Sequence, residues 1–497
     1  MARCLLVTTL VAVAVAHLAV PVAGQVSLDL PTPIANGLYP NDMQLADLND
    51  DGFADLVVAQ PDDDASVIIS LNDGTGTLLP GTSFDLDFWG DVVTVGDLDG
   101  DGDPDVLANV AFFVDNLHAL LNDGAGGFTQ GPASQAGSTP EDAALADLDG
   151  DGTLDVLLAN RNVNSMSTAF GDGTGAFAGG QLIPVSGGNS LGVAAGDFNG
   201  DGDQDAALAC FGSETLSGRL HLFDNPGDGD FGAHVTRFVG SGCWSVSAGD
   251  LDGDGDLDLL TTHRNTDRVV VHRNDGAGGF GSWTSTPVGH WPIDARLADL
   301  DGDGDLDVAV PAVNSPDVYV LTNDGGGGLS AAQVLPGLEN QFTATVGDLD
   351  GDGDIDLLTG GAHPLLRFQN LNGMPSTWSA LGGGVGGHLG QPLLTATGAL
   401  VAGATLTIEA FGVPGPFPST LVLGASQLGA PFRGGTLVPA PDVLLSVAPG
   451  AFGELAVGAV WPAGVPVGLP VVLQWWIADD SGPYGLTASQ AVMSTTG

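Results

Sequence analysis

Short apolar runs recur through the first three quarters of the chain, each bounded by Asp, Asn and Gly. Val92 to Val95 and Ala143 to Ala146 precede Asp-rich stretches, and Val156 to Ala159 and Leu259 to Thr262 follow them. A third run, such as Val269 to Val271 or Val318 to Leu321, precedes a Gly-rich turn, and a weaker fourth run follows it. No stretch sustains the 3.6-residue period that would bury one face of a helix. Runs of this length between turn residues predict strands, and Asn-Asp-Gly turns suit hairpins because these residues tolerate positive φ. The pattern predicts an all-β fold of repeated four-stranded units.

The repeat is set by a motif that occurs seven times: DLNDDGFAD from Asp47, DLDGDGDPD from Asp97, DLDGDGTLD from Asp147, DFNGDGDQD from Asp197, DLDGDGDLD from Asp250 and again from Asp299, and DLDGDGDID from Asp348. Successive copies start 49 to 53 residues apart. A second motif trails each copy, as NDGTGTL from Asn72, NDGAGGF from Asn122 and Asn274, GDGTGAF from Gly171, NPGDGDF from Asn225 and NDGGGGL from Asn323. The seventh is degenerate, NLNG from Asn370. Four strands in about fifty residues is the size of one propeller blade.

Asp at positions 1, 3, 5 and 9 of a tight turn aims several hard oxygens at one point, and Gly at position 6 permits the bend. Calcium takes six to eight such oxygens, including a backbone carbonyl at position 7. The first loop would use Asp47, Asn49, Asp51, Asp55 and the carbonyl of Phe53; the second Asp97, Asp99, Asp101, Asp105 and that of Asp103; the third Asp147, Asp149, Asp151, Asp155 and that of Thr153. The fourth would use Asp197, Asn199, Asp201, Asp205 and the carbonyl of Asp203; the fifth Asp250, Asp252, Asp254, Asp258 and that of Asp256. The sixth would use Asp299, Asp301, Asp303, Asp307 and the carbonyl of Asp305; the seventh Asp348, Asp350, Asp352, Asp356 and that of Asp354. This predicts about seven Ca2+ sites, weakest in loops one and four, where Asn49 and Asn199 each remove a charge. An EF-hand is excluded, since position 12 never holds Glu and strands follow the loops. Zinc is disfavoured because no Cys or His joins them.

The paired motifs resemble the FG-GAP/VCBS repeat family, whose blades form seven-bladed propellers like the integrin α-subunit head. The resemblance covers roughly residues 26 to 380 and implies a seven-bladed β-propeller. In such a ring the Asp loops follow the innermost strands and share one face. Blade connections and second-to-third strand loops share the other, where Tyr39, Trp89, Trp244, Arg264 and Trp291 are candidates for holding a sugar or peptide through aromatic planes and a guanidinium. The same geometry brings Cys210 and Cys243 near each other, as a disulfide stapling two blades or as two buried thiols.

Residues 1–24 read as a signal peptide, with Arg3 ahead of an apolar run and small residues at Val22, Ala23 and Gly24. The expected location is secreted or cell-surface, with no membrane span in the mature chain. The propeller would occupy 25–380, a Gly-rich linker 381–390, and a C-terminal β-sandwich 391–497, similar to C-terminal modules of planctomycete-type secreted proteins. That module alternates apolar runs with Pro and Gly turns, as at Thr405 to Phe411 and Val443 to Val447.

Charge narrows the partners. Asp and Glu number 61 against 10 Lys and Arg, giving a net charge of −51. Nucleic acid and anionic membranes would be repelled. Calcium would return only part of this charge, so a solvated acidic surface accounts for the rest. No nucleophile elbow, zinc-binding His pair or P-loop is present, and no Asp/Glu pair outside the loops stands out. The expected function is non-catalytic adhesion or binding of an extracellular glycan or protein. The alternatives are an accessory or catalytic propeller of a polysaccharide-degrading enzyme, or a structural component of an outer layer.

Overall fold

The structure, a computed structural model, describes residues 26–370 except 27, 29–30, 35–37, 63–64, 87–89, 111–115, 136, 213–216, 233 and 363. Beyond residue 370 it describes the backbone of the strands between Trp378 and Thr495. The signal-peptide and most of the linker expectations fall outside the described residues. Every element is a strand, and no helix among the described residues is long and apolar enough to cross a membrane.

Seven antiparallel sheets form the blades of a propeller. Their first strands are Asp42–Ala46, Gly90–Gly96, Pro140–Ala146, Ser190–Gly196, Cys243–Gly249, Arg296–Ala298 and Gln341–Gly347. These touch their neighbours around the ring, including across the closure between blades one and seven, and so surround the axis. Each is joined through its Asp loop to a second strand that is the most buried of its blade. Asp155–Asn160, Asp205–Cys210 and Asp258–His263 are buried at every position. Both faces of a second strand meet a neighbouring blade, so its sequence is a continuous apolar run instead of an alternation. Fourth strands such as His234–Gly240 are exposed or half-buried throughout.

The core lies between blades. Leu48, Val57 and Ile69 of blade one pack on Val93, Val106 and Leu120 of blade two. Met43, Leu56 and Val58 of blade one pack on Leu349, Leu358 and Leu365 of blade seven. Each blade therefore depends on two neighbours to cover its apolar surface.

Blade seven departs from the expected unit. Its fourth strand is Thr32–Ile34, which precedes the first repeat and pairs antiparallel with Leu365–Phe368 in the register Thr32 to Arg367. After the degenerate seventh turn at Asn370 the next described strand, Trp378–Gly382, pairs with Ala491–Thr495 of the C-terminal unit, and the early residues close the ring.

The propeller is one compact unit, Val26–Asn372. The C-terminal unit contains antiparallel sheets of six, three and two strands, among them Thr405–Phe411, Ser419–Gly424, Val443–Val447 and Pro470–Ala478. The face-to-face packing that would make these sheets the expected sandwich lies outside the described residues.

Candidate functional site

The seven Asp loops all join first strands to second strands, so they share one face of the ring. In loop two, Asp97 receives the backbone N–H of Gly100 at 2.8 Å and of Gly102 at 3.1 Å on its two oxygens. The same bonds recur in loops three to seven. Gly102 has φ +98°, and a Cβ there would meet nothing within 4 Å, so conformation alone requires glycine. The position-5 carboxylate accepts the N–H of position 7, as Asp101 does from Asp103 at 3.0 Å.

Carboxylates converge in five loops: Asp97, Asp99 and Asp101; Asp147, Asp149 and Asp155; Asp250, Asp252 and Asp254; Asp299, Asp301 and Asp303; and Asp348, Asp350 and Asp352. In each triad one oxygen per residue lies within 4.8 Å of the others. Loops one and four form no three-carboxylate cluster, having Asn49 and Asn199 at position 3, though Asn49 Oδ1 accepts the Asp51 N–H at 3.1 Å as Asp99 Oδ1 accepts that of Asp101 at 3.2 Å. The position-3 residues fit a cation. Asp252 Oδ1, Asp301 Oδ2 and Asp350 Oδ1 are buried oxygens without a hydrogen-bond partner. Burial and the neighbouring Asp carboxylates raise the pKa of Asp99, Asp252, Asp301 and Asp350. Buried, unpartnered, mutually repelling oxygens are what a hard divalent ion would satisfy. Two arginines already reach this chemistry. Arg367 pairs with Asp350 at 3.1 Å and Asp356 at 3.0 Å, and Arg273 lies 3.6 Å from Asp252.

Position 9 has a task the sequence reading did not give it. Asp55, Asp105, Asp155, Asp205, Asp258, Asp307 and Asp356 are fully or almost fully buried. One oxygen accepts the N–H of loop position 2, as Asp105 does from Leu98 at 2.8 Å. The other accepts the N–H that opens the second motif, as Asp105 does from Asn122 at 2.7 Å. Both bonds recur in all seven blades. Expected as ligands, these carboxylates hold the loop through two backbone N–H groups in every blade, and in loop three Asp155 also joins Asp147 and Asp149 in a metal-capable cluster.

The second motif also ties blade to blade. Asn122 donates its side-chain N–H to the Pro104 carbonyl of its own blade at 3.0 Å and to the Leu48 carbonyl of the preceding blade at 2.8 Å. Asn72, Asn225, Asn274, Asn323 and Asn370 do the same, Asn72 reaching Leu349 across the ring closure. Blade three has Gly171 here, because a Cβ would lie 2.3 Å from the Leu154 carbonyl. The Leu98 carbonyl instead receives the Gly175 N–H at 3.0 Å. These clips were signalled by the fixed Asn of the motif, which reads equally well as a hairpin residue.

The starts of the first strands enclose a cavity of about 350 Å³ on the axis, at the end away from the loops. Six residues before the first Asp of each loop stand Asn41, Asp91 and Glu141 in blades one to three, and Leu191, Trp244, Ile293 and Phe342 in blades four to seven. One side of the rim is therefore polar and acidic and the other apolar and aromatic. The next residue in the chain adds Asp42, Asp142 and Asp294, and Arg296 lies deeper. Arg296 pairs with Asp42 at 3.2 Å and Asp294 at 3.3 Å. Asp42, Asp142 and Asp294 each accept a backbone N–H from the first strand of the following blade, at Val93, Val193 and Ala344. Burial, only partly offset by the Val193 N–H, pushes Asp142 up to about 7. Burial and the neighbouring Glu141 push Asp91 up to about 6. The sequence reading missed this cluster because its carboxylates are drawn from four repeats, Asp42, Asp91, the pair Glu141 and Asp142, and Asp294.

Three of the ligand-face candidates meet beside the cavity. The Arg264 guanidinium lies 3.8 Å from the centre of the Trp291 ring and 5.0 Å from that of Trp244, and Phe211 meets Trp244 edge-on at 5.5 Å. Tyr39, 50% exposed, belongs neither to this cluster nor to the cavity lining among the described residues. Trp89 lies outside the described residues.

Cys210 and Cys243 are buried near each other, both within reach of the Gly218 position, and are free thiols instead of the disulfide considered from sequence. The Cys210 sulfur faces Ser190 Oγ at 3.7 Å. Burial pushes Cys210 up to about 11 and raises Cys243 further, so neither is a ready thiolate.

The FG-GAP-like repeat family matches residues 47–108, 147–208, 206–261 and 252–310, so the propeller carries FG-GAP-like repeats. No curated protein matches the sequence. Similar solved structures include an Agrocybe aegerita lectin described as recognising non-reducing terminal N-acetylglucosamine, 22% identical over 59% of this chain and 79% of that one, with a TM-score of 0.44. A complex of BBS1N with ARL6DN is 13% identical over 72% of this chain and 99% of that one, with a TM-score of 0.49. A protein from Desulfotomaculum acetoxidans described as functionally unknown is 14% identical over 62% of this chain and 92% of that one, with a TM-score of 0.44. Likeness this distant says nothing about the ligand of this chain.

Proposed function

We propose that this chain is an exported, calcium-loaded binding module that holds an extracellular glycan on the face opposite its Asp loops, without turning it over. The observation that carries this reading is the divided axial cavity. A pyranose has hydroxyl edges and apolar C–H faces. Asn41, Asp91 and Glu141 suit the edges, while Trp244, Ile293 and Phe342 suit a C–H face. The orphaned position-3 oxygens support calcium as the loop ion, because an all-oxygen set of carboxylates and carbonyls favours a hard cation. A protein ligand at the same face is the competing partner.

A catalytic reading draws on Asp91 and Asp142, whose raised pKa values resemble those of general acids. It is less well supported, because the carboxylates are committed. Asp142 accepts the N–H groups of Val193 and Ala143, Glu141 is held by Arg161 through both oxygens at 3.0 Å, and Asp91 accepts from Asn41. An array of glycans and matrix proteins, probed with and without calcium, tests the proposal. Capture of a glycan that is recovered intact is the expected result. Cleaved glycan would move the assignment to an enzyme, and self-assembly on adding calcium without capture would move it to a structural layer.

A further inference from the structure

The strongest unexplained feature of the ligand face is the charge at its aromatic cluster. The chain has 61 acidic residues, yet among the described residues no carboxylate lies within ion-pair distance of Arg264. Indoles of Trp244 and Trp291 flank its guanidinium, leaving the edge, where the N–H donors point, as the part able to meet a ligand. Burial and the charge of Arg161 both act against the Arg264 cation. Arg161 is itself bound to Glu141, which lines the cavity as Trp244 does, so two guanidinium groups stand next to cavity residues, and among the described residues only Arg161 has an ion-pair partner.

The cluster is also held in place at a cost. Trp291 has φ +65° and Asp267 has φ +55°, left-handed conformations that a bulky residue such as Trp rarely adopts. Asp267 fixes them by accepting the Trp291 N–H at 3.2 Å and binding His290 Nδ1 at 3.0 Å. The Arg264 N–H bonds the Gly242 carbonyl at 2.8 Å, which anchors the Arg end of the stack. Strain with dedicated hydrogen bonds marks a group positioned for a task outside its own packing.

We propose that the Trp244–Arg264–Trp291 stack binds the carboxylate of an acidic sugar, a uronic acid unit whose pyranose ring lies against the indoles. The inference rests on the glycan-binding reading above and names the ligand's charge and class. A carboxylate is planar, accepts two parallel N–H bonds from a guanidinium edge and relieves the uncompensated charge. The chain's own net charge opposes an anionic ligand at long range, but at about 0.15 M salt that field decays within roughly 8 Å and leaves the local contact to decide.

The test is calorimetric and fluorescence titration of the calcium-loaded full chain at about 0.15 M salt, with cellobiouronic acid compared against cellobiose. The expected result is saturable quenching of indole fluorescence by the acid and binding of the neutral sugar weaker by about tenfold or more. Arg264→Gln should bring the acid down to the level of cellobiose, and Arg264→Lys should recover part of the difference. The inference is overturned if cellobiose binds as tightly, if Arg264→Gln keeps the preference, or if neither sugar binds. Should Arg264→Gln not fold, the comparison of the two sugars on the unmodified chain still decides. Equal binding of both sugars that is lost in Trp291→Ala would remove the carboxylate while keeping the glycan site. Capture of other glycans on the array, with neither disaccharide bound, would do the same.

Discussion

On the face that carries the Asp loops, all seven blades hold the loop with the same two backbone bonds to a buried position-9 Asp. On the opposite face no two blades present the same pair of residues to the axial cavity: Asn41 and Asp42 stand in blade one, Trp244 and Ser245 in blade five, Phe342 and Thr343 in blade seven. Every blade must hold its loop against its second motif and its neighbour, so the chemistry that does this is repeated with the fold. One ligand on the axis meets all blades at once and gains nothing from sevenfold equivalence. Repetition therefore marks residues that hold the ring, and departure from repetition marks the residues the proposed ligand would meet.

The comparison can be broken most severely by removing calcium. Chelation should lower the melting temperature by about 10 °C or more, since an ion at a hundredfold excess over its Kd adds about 2.7 kcal/mol per site. A scanning calorimetry trace unmoved by chelator would make the loops acidic turns only.

A smaller effect separates the two roles within one loop. Asp307→Ala should cost about 3 kcal/mol with or without calcium, because the N–H groups of Leu300 and Asn323 lose their buried acceptor. Asp301→Ala should cost stability only in the calcium-loaded protein. Denaturant titrations in both states check the pair. Asn323→Ala should come next, at about 1–2 kcal/mol, by leaving the Leu251 and Leu306 carbonyls without its two bonds.

The smallest effect belongs to the cavity. The folded pKa of Asp142 is raised to about 7 by burial, from an ordinary carboxylate value near 4 in the unfolded chain. Between those values the folded state binds more protons, so this group's contribution to stability falls as pH rises and its cost is complete above about 7. Asp142→Asn should therefore raise the melting temperature by a few degrees at pH 8, by about a third as much at pH 5, and not at all below about pH 4. A gain of equal size at pH 8 and pH 5 would mean that Asp142 is not neutral in the fold.

Much of the ring was legible because its signals are local and repeated. Asp97 to Asp105 carries its turn, its glycine and its carboxylates within nine residues, and the apolar runs beside it can only be strands. Three things were not legible. Thr32–Ile34 carries no motif and gains its meaning from Leu365–Phe368, at the other end of the ring. Asp42, Asp91, the adjacent pair Glu141 and Asp142, and Asp294 come from four repeats and meet only on the axis. Asp at position 9 looks like its neighbours in sequence, and only burial shows that backbone donors hold it.

The strand Thr32–Ile34 also sets a timetable. Its partner Arg367 is made about 335 residues later, so at roughly 5–20 residues per second the ring stays open for tens of seconds during synthesis. Until then Thr32–Ile34 has no partner strand and blade one lacks its blade-seven neighbour, so a segment from a passing chain can pair there. The nascent protein is thus open to cross-pairing until its ring is sealed, and the strand Thr32–Ile34, with the blade-one core that packs on Leu349, Leu358 and Leu365, ends that interval.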